Sequence, residues 1–347
     1  MAGLTRYDNT DKVIDTQKIV TSTWSNNTND AATFFSNTVT TSSGTTVAND
    51  ATSSNAFYME FFNNTGHSES QYFIAYGNKK GSGSYHFTDD DGAKGKSASS
   101  IIYNQYRQLV YGDEASDFNF EGTTPDDIFV INVSRARYKH NLKPGTLNLT
   151  LSGSEVGIAH GTIKLTDDSV SATGSAVITN AGRQFNLVSG SSGVRSGSTT
   201  TQTHSGSYGF FYPDSGFIIL NAGALSASLL LSRSVGMHVH NDNINEFKQA
   251  ISGSAGGSFV VDSEEKVTSQ YFFTRAKNNE FNYTTNPSFI DTNGNLNFTS
   301  MVDNPKTFIT TIGLYNDSND LVAVAKVSQP ISKDFSKEAL IRVKLDY

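Results

Sequence analysis

The chain has 347 residues, 36% of them hydrophobic and only 17% charged, with a formal net charge of −7. The absence of cysteine excludes a disulfide framework and a thiolate metal site, and the acidic balance leaves no basic footprint for nucleic acid. Charge this sparse also argues against a largely disordered chain, and the length predicts two or three domains.

Ser, Thr, Asn and Gly fill the remainder, with 29 glycines, 6 prolines, 15 tyrosines and 23 phenylalanines. Aromatics with Thr and Val suit a pleated surface, and Gly, Asn and Ser supply its turns, so the composition predicts a mainly β protein. The N-terminal MAGLTRYD has no apolar segment of the kind a secretory signal needs. The longest apolar candidate, Ala222 to Leu231, is too short for a membrane span.

In chain order, residues 11–24 (DKVIDTQKIVTSTW) alternate loosely and predict a strand pair. The polar run to about Asn55, broken by Phe34-Phe35, predicts a loop or extended arm that a neighbouring subunit would order. FYMEFF and QYFIAYGN are aromatic strands. A helix is predicted over about 100–111, capped by Ser97, Ser99 or Ser100, with Ile101, Ile102, Tyr106, Leu109 and Val110 on one face and Gly112 at its end. Asp127 to Val133 is a strand, Pro144-Gly145 a turn, and Thr146 to Leu151 alternates with period two. From 152 to 232 short alternating runs, GFIILNAGAL among them, lie between Gly/Ser/Thr turns. A second helix is predicted near 243–251, with Ile244, Phe247 and Ile251 on one side; strands then resume to the C-terminus.

The expected fold is thus mainly β, with two or more β-sandwich-like modules, two short helices and an extended N-terminal arm. The expected divisions are an N-terminal strand and polar arm over 1–56, a central β-rich region over 57–257 and a C-terminal β module over 258–347.

Residue types that could carry chemistry are few. His238-Val-His240 would place two imidazoles on one strand face, a weak candidate metal site. Asp89-Asp90-Asp91-Gly92 resembles the start of a calcium loop but lacks its spacing and its closing Glu. Asp291 to Asn295 reads as an Asn-Gly hairpin turn. The carboxylate pairs Asp113-Glu114, Asp126-Asp127 and Asp167-Asp168 are adjacent, so on a strand they would diverge rather than meet at one substrate. No G-x-S-x-G, P-loop or H-E-x-x-H occurs. The basic run Arg135 to His140 reads as a solvated or salt-bridged face. No catalytic residue, cofactor or nucleic-acid role is therefore assigned.

The C-terminal block is the most distinctive: Phe308-Ile-Thr-Thr-Ile-Gly-Leu-Tyr315, a turn at Asn316 to Asn319, then Leu321-Val-Ala-Val-Ala-Lys326, ending Ile341-Arg-Val-Lys-Leu-Asp-Tyr347. This pattern resembles a β-hairpin of baseplate and tail-fibre-attachment proteins of contractile-tailed bacteriophages. With Ile101 to Gly112, Asp127 to Lys139, Ser207 to Gly216 and Tyr271 to Phe281, it is similar to virion structural proteins of large myoviruses, including those of marine cyanobacteria. The resemblance implies a baseplate-wedge or baseplate-associated structural role, no enzymatic activity, a location in the virion after synthesis in the host cytoplasm, and no membrane association. It also implies other virion proteins as partners and several copies per particle. Interface candidates are Ile312, Leu314, Tyr315, Ile341, Val343, Leu345 and Tyr347, because an apolar alternating strand that ends a chain needs a partner or a cover. A capsid or neck decoration protein, and a receptor-binding or glycan-cleaving tail protein, are the alternatives.

Overall fold

The computed structural model describes residues 6–25, 30–31, 35–36, 58–63, 66, 68–83, 97–153, 161–170, 176–196, 208–229, 242–252, 256–283 and 286–347. The protein is mainly β, with 49% of the described residues in strands and 15% in helices. In chain order, β1 (Lys12–Ser22), β2 (Phe35–Ser36), β3 (Tyr58–Phe62) and β4 (Ser70–Asn78) precede α1 (Ala98–Tyr111). Next come β5 (Asp127–Val133), β6 (Asn141–Leu142), β7 (Asn148–Ser152), β8 (Thr162–Asp167), β9 (Val177–Thr179), β10 (Gly182–Ser191), β11 (Val194–Arg195), β12 (Gly209–Tyr212) and β13 (Phe217–Asn221). Helices α2 (Ala222–Leu229) and α3 (Asp242–Ile251) lead to β14 (Ser258–Val260) and β15 (Asp262–Ala276). The chain closes with α4 (Ser300–Asp303), β16 (Thr307–Tyr315), β17 (Leu321–Lys333) and β18 (Ala339–Asp346).

Two compact units form, divided otherwise than at residues 56 and 257: one comprises Ile19–Glu265, the other Met1–Lys18 with Lys266–Tyr347. The residues before 19 group with the C-terminal block because β1 lies beside β15 in the order β1-β15-β18. A single long strand replaces the expected pair over residues 11–24.

The larger unit is built on an antiparallel sheet ordered β14-β7-β8-β10-β12-β13-β5-β4-β3-β2, with β9 and β11 on β10. Its central strands are covered on both faces. Ile74, Phe129, Ile131, Ile218 and Leu220 enter one core, whereas Ala75, Ile128, Val130, Phe217 and Ile219 enter the other. Double coverage explains why DIFVINV and FIILN read as continuous apolar runs: neither face needs a polar residue. Phe247 of α3 stacks on Phe129, ring centroids 4.5 Å apart, while Tyr106 of α1 meets Phe217 at 5.3 Å on the opposite face.

Helix α1 starts where Ser97 accepts a hydrogen bond from the Ser100 amide and ends at Gly112, whose left-handed backbone (φ 77°) donates to Gln108. Its buried stripe is Ile102, Tyr103, Tyr106 and Val110, whereas Ile101 and Leu109 face out, one residue off the expected face. The helix approaches β4 so closely that a Cβ at Gly77 would sit 2.9 Å from the Tyr103 amide nitrogen. In α3 the expected residues Ile244, Phe247 and Ile251 are all buried. GFIILNAGAL is not one strand: after Asn221 the chain turns into α2, with the Asn221 side chain accepting from the Ala224 amide at 3.1 Å, an N-cap.

The smaller unit has a thinner core. Ile312, Leu314 and Val343 are buried, with Tyr7, Phe272, Ala323, Ala325, Val327, Ile341 and Leu345 partly buried against them. The β16–β17 hairpin therefore lays its inner face on the β15–β18 sheet, two layers in a sandwich-like arrangement.

Replacing Phe247 by Ala removes the ring stacked on Phe129 and leaves a cavity in a fully buried position. The larger unit should lose about 3–5 kcal/mol of stability, measured by urea unfolding followed through the fluorescence of the buried Trp24.

Candidate functional site

The hairpin and the sheet beneath it carry the C-terminal interface candidates. Antiparallel pairing puts Ile312 opposite Ala325 and Leu314 opposite Ala323, and β-bulges lie between Ile309 and Thr311 and between Leu314 and Tyr315. The turn is built by Asn316, whose side-chain oxygen accepts from the Ser318 and Asp320 amides at 3.0 and 2.8 Å. Asn319 takes the left-handed conformation at φ 63°, which asparagine tolerates better than most residues.

On β18 the period-two pattern is strict. Ile341, Val343 and Leu345 face the hairpin, while Leu340, Arg342 and Lys344 face away. Ile312, Leu314, Ile341, Val343 and Leu345 thus serve the unit's own core, and β18 pairs with β15 from Ala339 to Asp346. Among the seven candidates, Tyr315 and Tyr347 are the exposed ones. Outward-facing apolar residues that alternation alone did not single out lie beside them: Val322, Val324 and Leu340. Their signal was available in the same period-two pattern, since an apolar residue on each of two successive strand positions must put one of them outside.

At the end of β17, Lys333 is fully buried, and its ammonium donates to the Asn278 carbonyl at 3.0 Å, Asn282 Oδ1 at 2.9 Å and the Asp334 carbonyl at 3.1 Å. All three donors are satisfied, so this lysine fastens the 278–282 turn to the end of the hairpin. Tyr7 adds a second fastening, its ring 5.5 Å from Phe272 and its hydroxyl bonded to Thr274.

Most of the carboxylates weighed in the sequence take part in turns or ion pairs. Asp113 accepts from the Ala115 and Ser116 amides and the Ser116 hydroxyl, contacts that hold its carboxyl below the usual aspartate range. Asp126 pairs with Lys80. Asp167 accepts from the Gly145 and Ser169 amides, whereas Asp168 accepts from the backbone and side chain of Asn186 and is pushed up by burial. Asp291 accepts from the Asn293 and Asn295 amides, closing a turn bridged by Ile290 and Leu296. Among the described residues, no group of three or more His, Asp or Glu side chains is placed to hold a metal ion. His238, His240 and Asp89 to Asp91 lie outside the described residues. No helix among the described residues is long and apolar enough to cross a membrane.

The basic run begins as a 3-10 turn over Arg135–Arg137. Arg135 lies 4.7 Å from the Tyr138 ring, and Arg137 donates to Glu69 at 3.0 Å and to the Ser25 hydroxyl at 2.6 Å. Gln71, fully buried, ties the same hydroxyl and the Ser25 amide together. The Ser25 hydroxyl itself donates to the Glu69 carboxylate, so Ser25, Glu69, Gln71 and Arg137 form one polar fastening. Comparison with known proteins leaves the chain by itself: no family model, curated protein or solved structure matches it.

The Ser25 hydroxyl first, and then the Arg137 charge, hold the Glu69 carboxyl below its ordinary value of 4.5. A depressed folded pKa contributes stability that is present above 4.5 and is lost as pH falls through the lower folded value. Denaturant unfolding measured from neutral pH into the acid range should therefore fall less steeply below pH 4.5 for Glu69→Gln than for the wild type. Parallel curves would remove this network from the acid sensitivity.

Proposed function

We propose that the chain is a structural component of a bacteriophage virion, most consistent with a tail or baseplate position, where it joins neighbouring proteins through β-rich surfaces and acts without catalysis. The reading begins from the resemblance of the C-terminal hairpin block to baseplate and fibre-attachment proteins. The observation that carries it further is the amount of large apolar surface left uncovered on the strands of the smaller unit. Ile14 on β1, Phe308 on β16, Val322 on β17 and Leu340 on β18 are each 60% exposed or more. Scattered single apolar residues are ordinary on a protein surface, but this density on so small a unit fits a surface that neighbours cover.

The β1 strand adds to this reading. Its residues are exposed along nearly the whole length, with Val13, Ile14, Ile19 and Val20 open to solvent, and among the described residues β15 is the strand beside it. A long edge with apolar side chains is a template for strand addition, which protects the edge only once a partner is in place.

Cross-linking of intact particles followed by mass spectrometry tests the assignment. Lys326, Lys337 and Lys344 are exposed and available to an amine-reactive linker, whereas buried Lys333 should react only after unfolding. Links from the exposed lysines to baseplate or fibre proteins are expected. Links confined to capsid or portal proteins would move the chain to the head or neck, and absence of the chain from purified particles would remove it from the virion altogether.

A further inference from the structure

The smaller unit presents two outward faces of opposite character. The first is the side of β15–β18 turned away from the hairpin. In the observed register Tyr271 lies opposite Lys344, Phe273 opposite Arg342, and Arg275 opposite Leu340. Phe272, Ile341, Val343 and Leu345 point to the core between the layers, so these six point outward. The Arg342 guanidinium is 5.4 Å and the Lys344 ammonium 6.0 Å from the centre of the Tyr271 ring. Leu340 is 68% exposed. Three cations are thereby collected around two aromatic rings and a leucine, on a chain whose net charge is −7.

The second face is the turn end of the β16–β17 hairpin. Tyr315, Leu321, Val322 and Val324 are exposed there, and the turn itself carries Asp317 and Asp320. Gly313 lets the apolar side chains lie across the strand: a Cβ at that position would meet the Tyr315 ring at 3.0 Å and the Leu321 side chain at 3.2 Å. The result is a low apolar platform with two carboxylates at its end.

We propose that the hairpin end of one copy docks on the outer β15–β18 face of a second copy. The two patches match in kind: Asp317 and Asp320 face Arg342, Lys344 and Arg275, while Tyr315, Leu321, Val322 and Val324 cover Leu340, Tyr271 and Phe273. Complementary charge around an apolar centre is the arrangement that steers and registers a protein contact. A long anionic polymer fits the basic face less well. Glu338 already bonds Arg275 at 2.7 Å and Asp346 bonds Lys344 at 3.0 Å, so carboxylates alternate with the cations there. Two discrete aspartates can be placed between those charges; a continuous row of phosphates would meet repulsion. Because the patches lie on different surfaces of the unit, the contact is head-to-tail, and repetition gives a ring or a filament rather than a closed two-fold dimer. The inference goes beyond the virion assignment and does not depend on it.

Sedimentation velocity of the full chain over a concentration series, at low and high salt, tests the contact. Self-association that weakens as salt rises is expected. D317K/D320K and R342E/K344E should each weaken it at least about tenfold, with unchanged thermal unfolding. An equimolar mixture of the two variants should recover association, because the native hairpin end of one meets the native sheet face of the other, and the reversed pair is again complementary. A wild type that stays monomeric at every concentration, variants that associate as the wild type does, or a mixture no better than its parts would each overturn the proposal. So would a monomeric chain that binds an oligo(dT) or polyglutamate probe through Arg342 and Lys344, which would give the face to an anionic polymer.

Discussion

Coverage of both faces of the central strands is the constraint on which the larger unit depends. With β4, β5, β12 and β13 apolar on either side, the sheet cannot leave one face to water, and each face must find its own layer. Helix α1 supplies one, through Tyr103, Tyr106 and Val110; α2 and α3 contribute to the other, through Leu225, Ile244 and Phe247. The many aromatic rings are a consequence. A wide sheet with few helices needs bulky side chains to fill the space above it, and stacked or tilted pairs such as Phe129–Phe247, Phe61–Tyr72 and Trp24–Phe259 provide that volume. Burial also pushes the phenols of Tyr103, Tyr106 and Tyr212 upward, so these hydroxyls remain neutral, with Tyr106 accepting from Asn132 and Tyr212 donating to Gln184.

The smaller unit solves a different problem. Its core is too thin to hold two layers by area alone, and it is supplemented by a buried lysine with three acceptors and by a tyrosine from the N-terminal segment. What it cannot cover stays outside, on both the hairpin and the sheet. The result is a thin sandwich, fastened by these two groups, whose outer strand faces carry uncovered apolar side chains.

Polar groups follow one rule across both units. Aspartates and asparagines at the ends of elements and in turns accept backbone amides, as Asp113, Asp167, Asp291 and Asn316 do, and so become turn formers. The Ser116 contacts of Asp113 and the Asn295 contacts of Asp291 hold both carboxyls below the usual aspartate range. Among the ion pairs, Arg137 of the 3-10 turn holds Glu69 ahead of β4 at 3.0 Å, and Arg183 of β10 holds Asp214 of the turn after β12 at 2.5 Å.

Much of this was legible in the residues themselves. The β class, the helix capped by Ser97 and Gly112, the helix face of Ile244, Phe247 and Ile251, and the Asn316 hairpin all follow from periods and caps, which are local properties of a few neighbouring residues. Helix α2 was misread because an apolar run next to FIIL has no period to separate strand from helix, and its only local sign is the Asn221 cap. The grouping of the first 18 residues with the C-terminal block could not be read, since it rests on β1 meeting β15 some 250 residues later in the chain. The same holds for the candidate surface. Alternation announced that one side of β18 would be apolar, but only the arrival of the hairpin decided that Ile341, Val343 and Leu345 are the inside and that Leu340, Arg342 and Lys344 are left to meet something else. Local sequence determines which side chains share a face; which face is buried is set by the element that comes to lie against it, and that is a property of the tertiary structure.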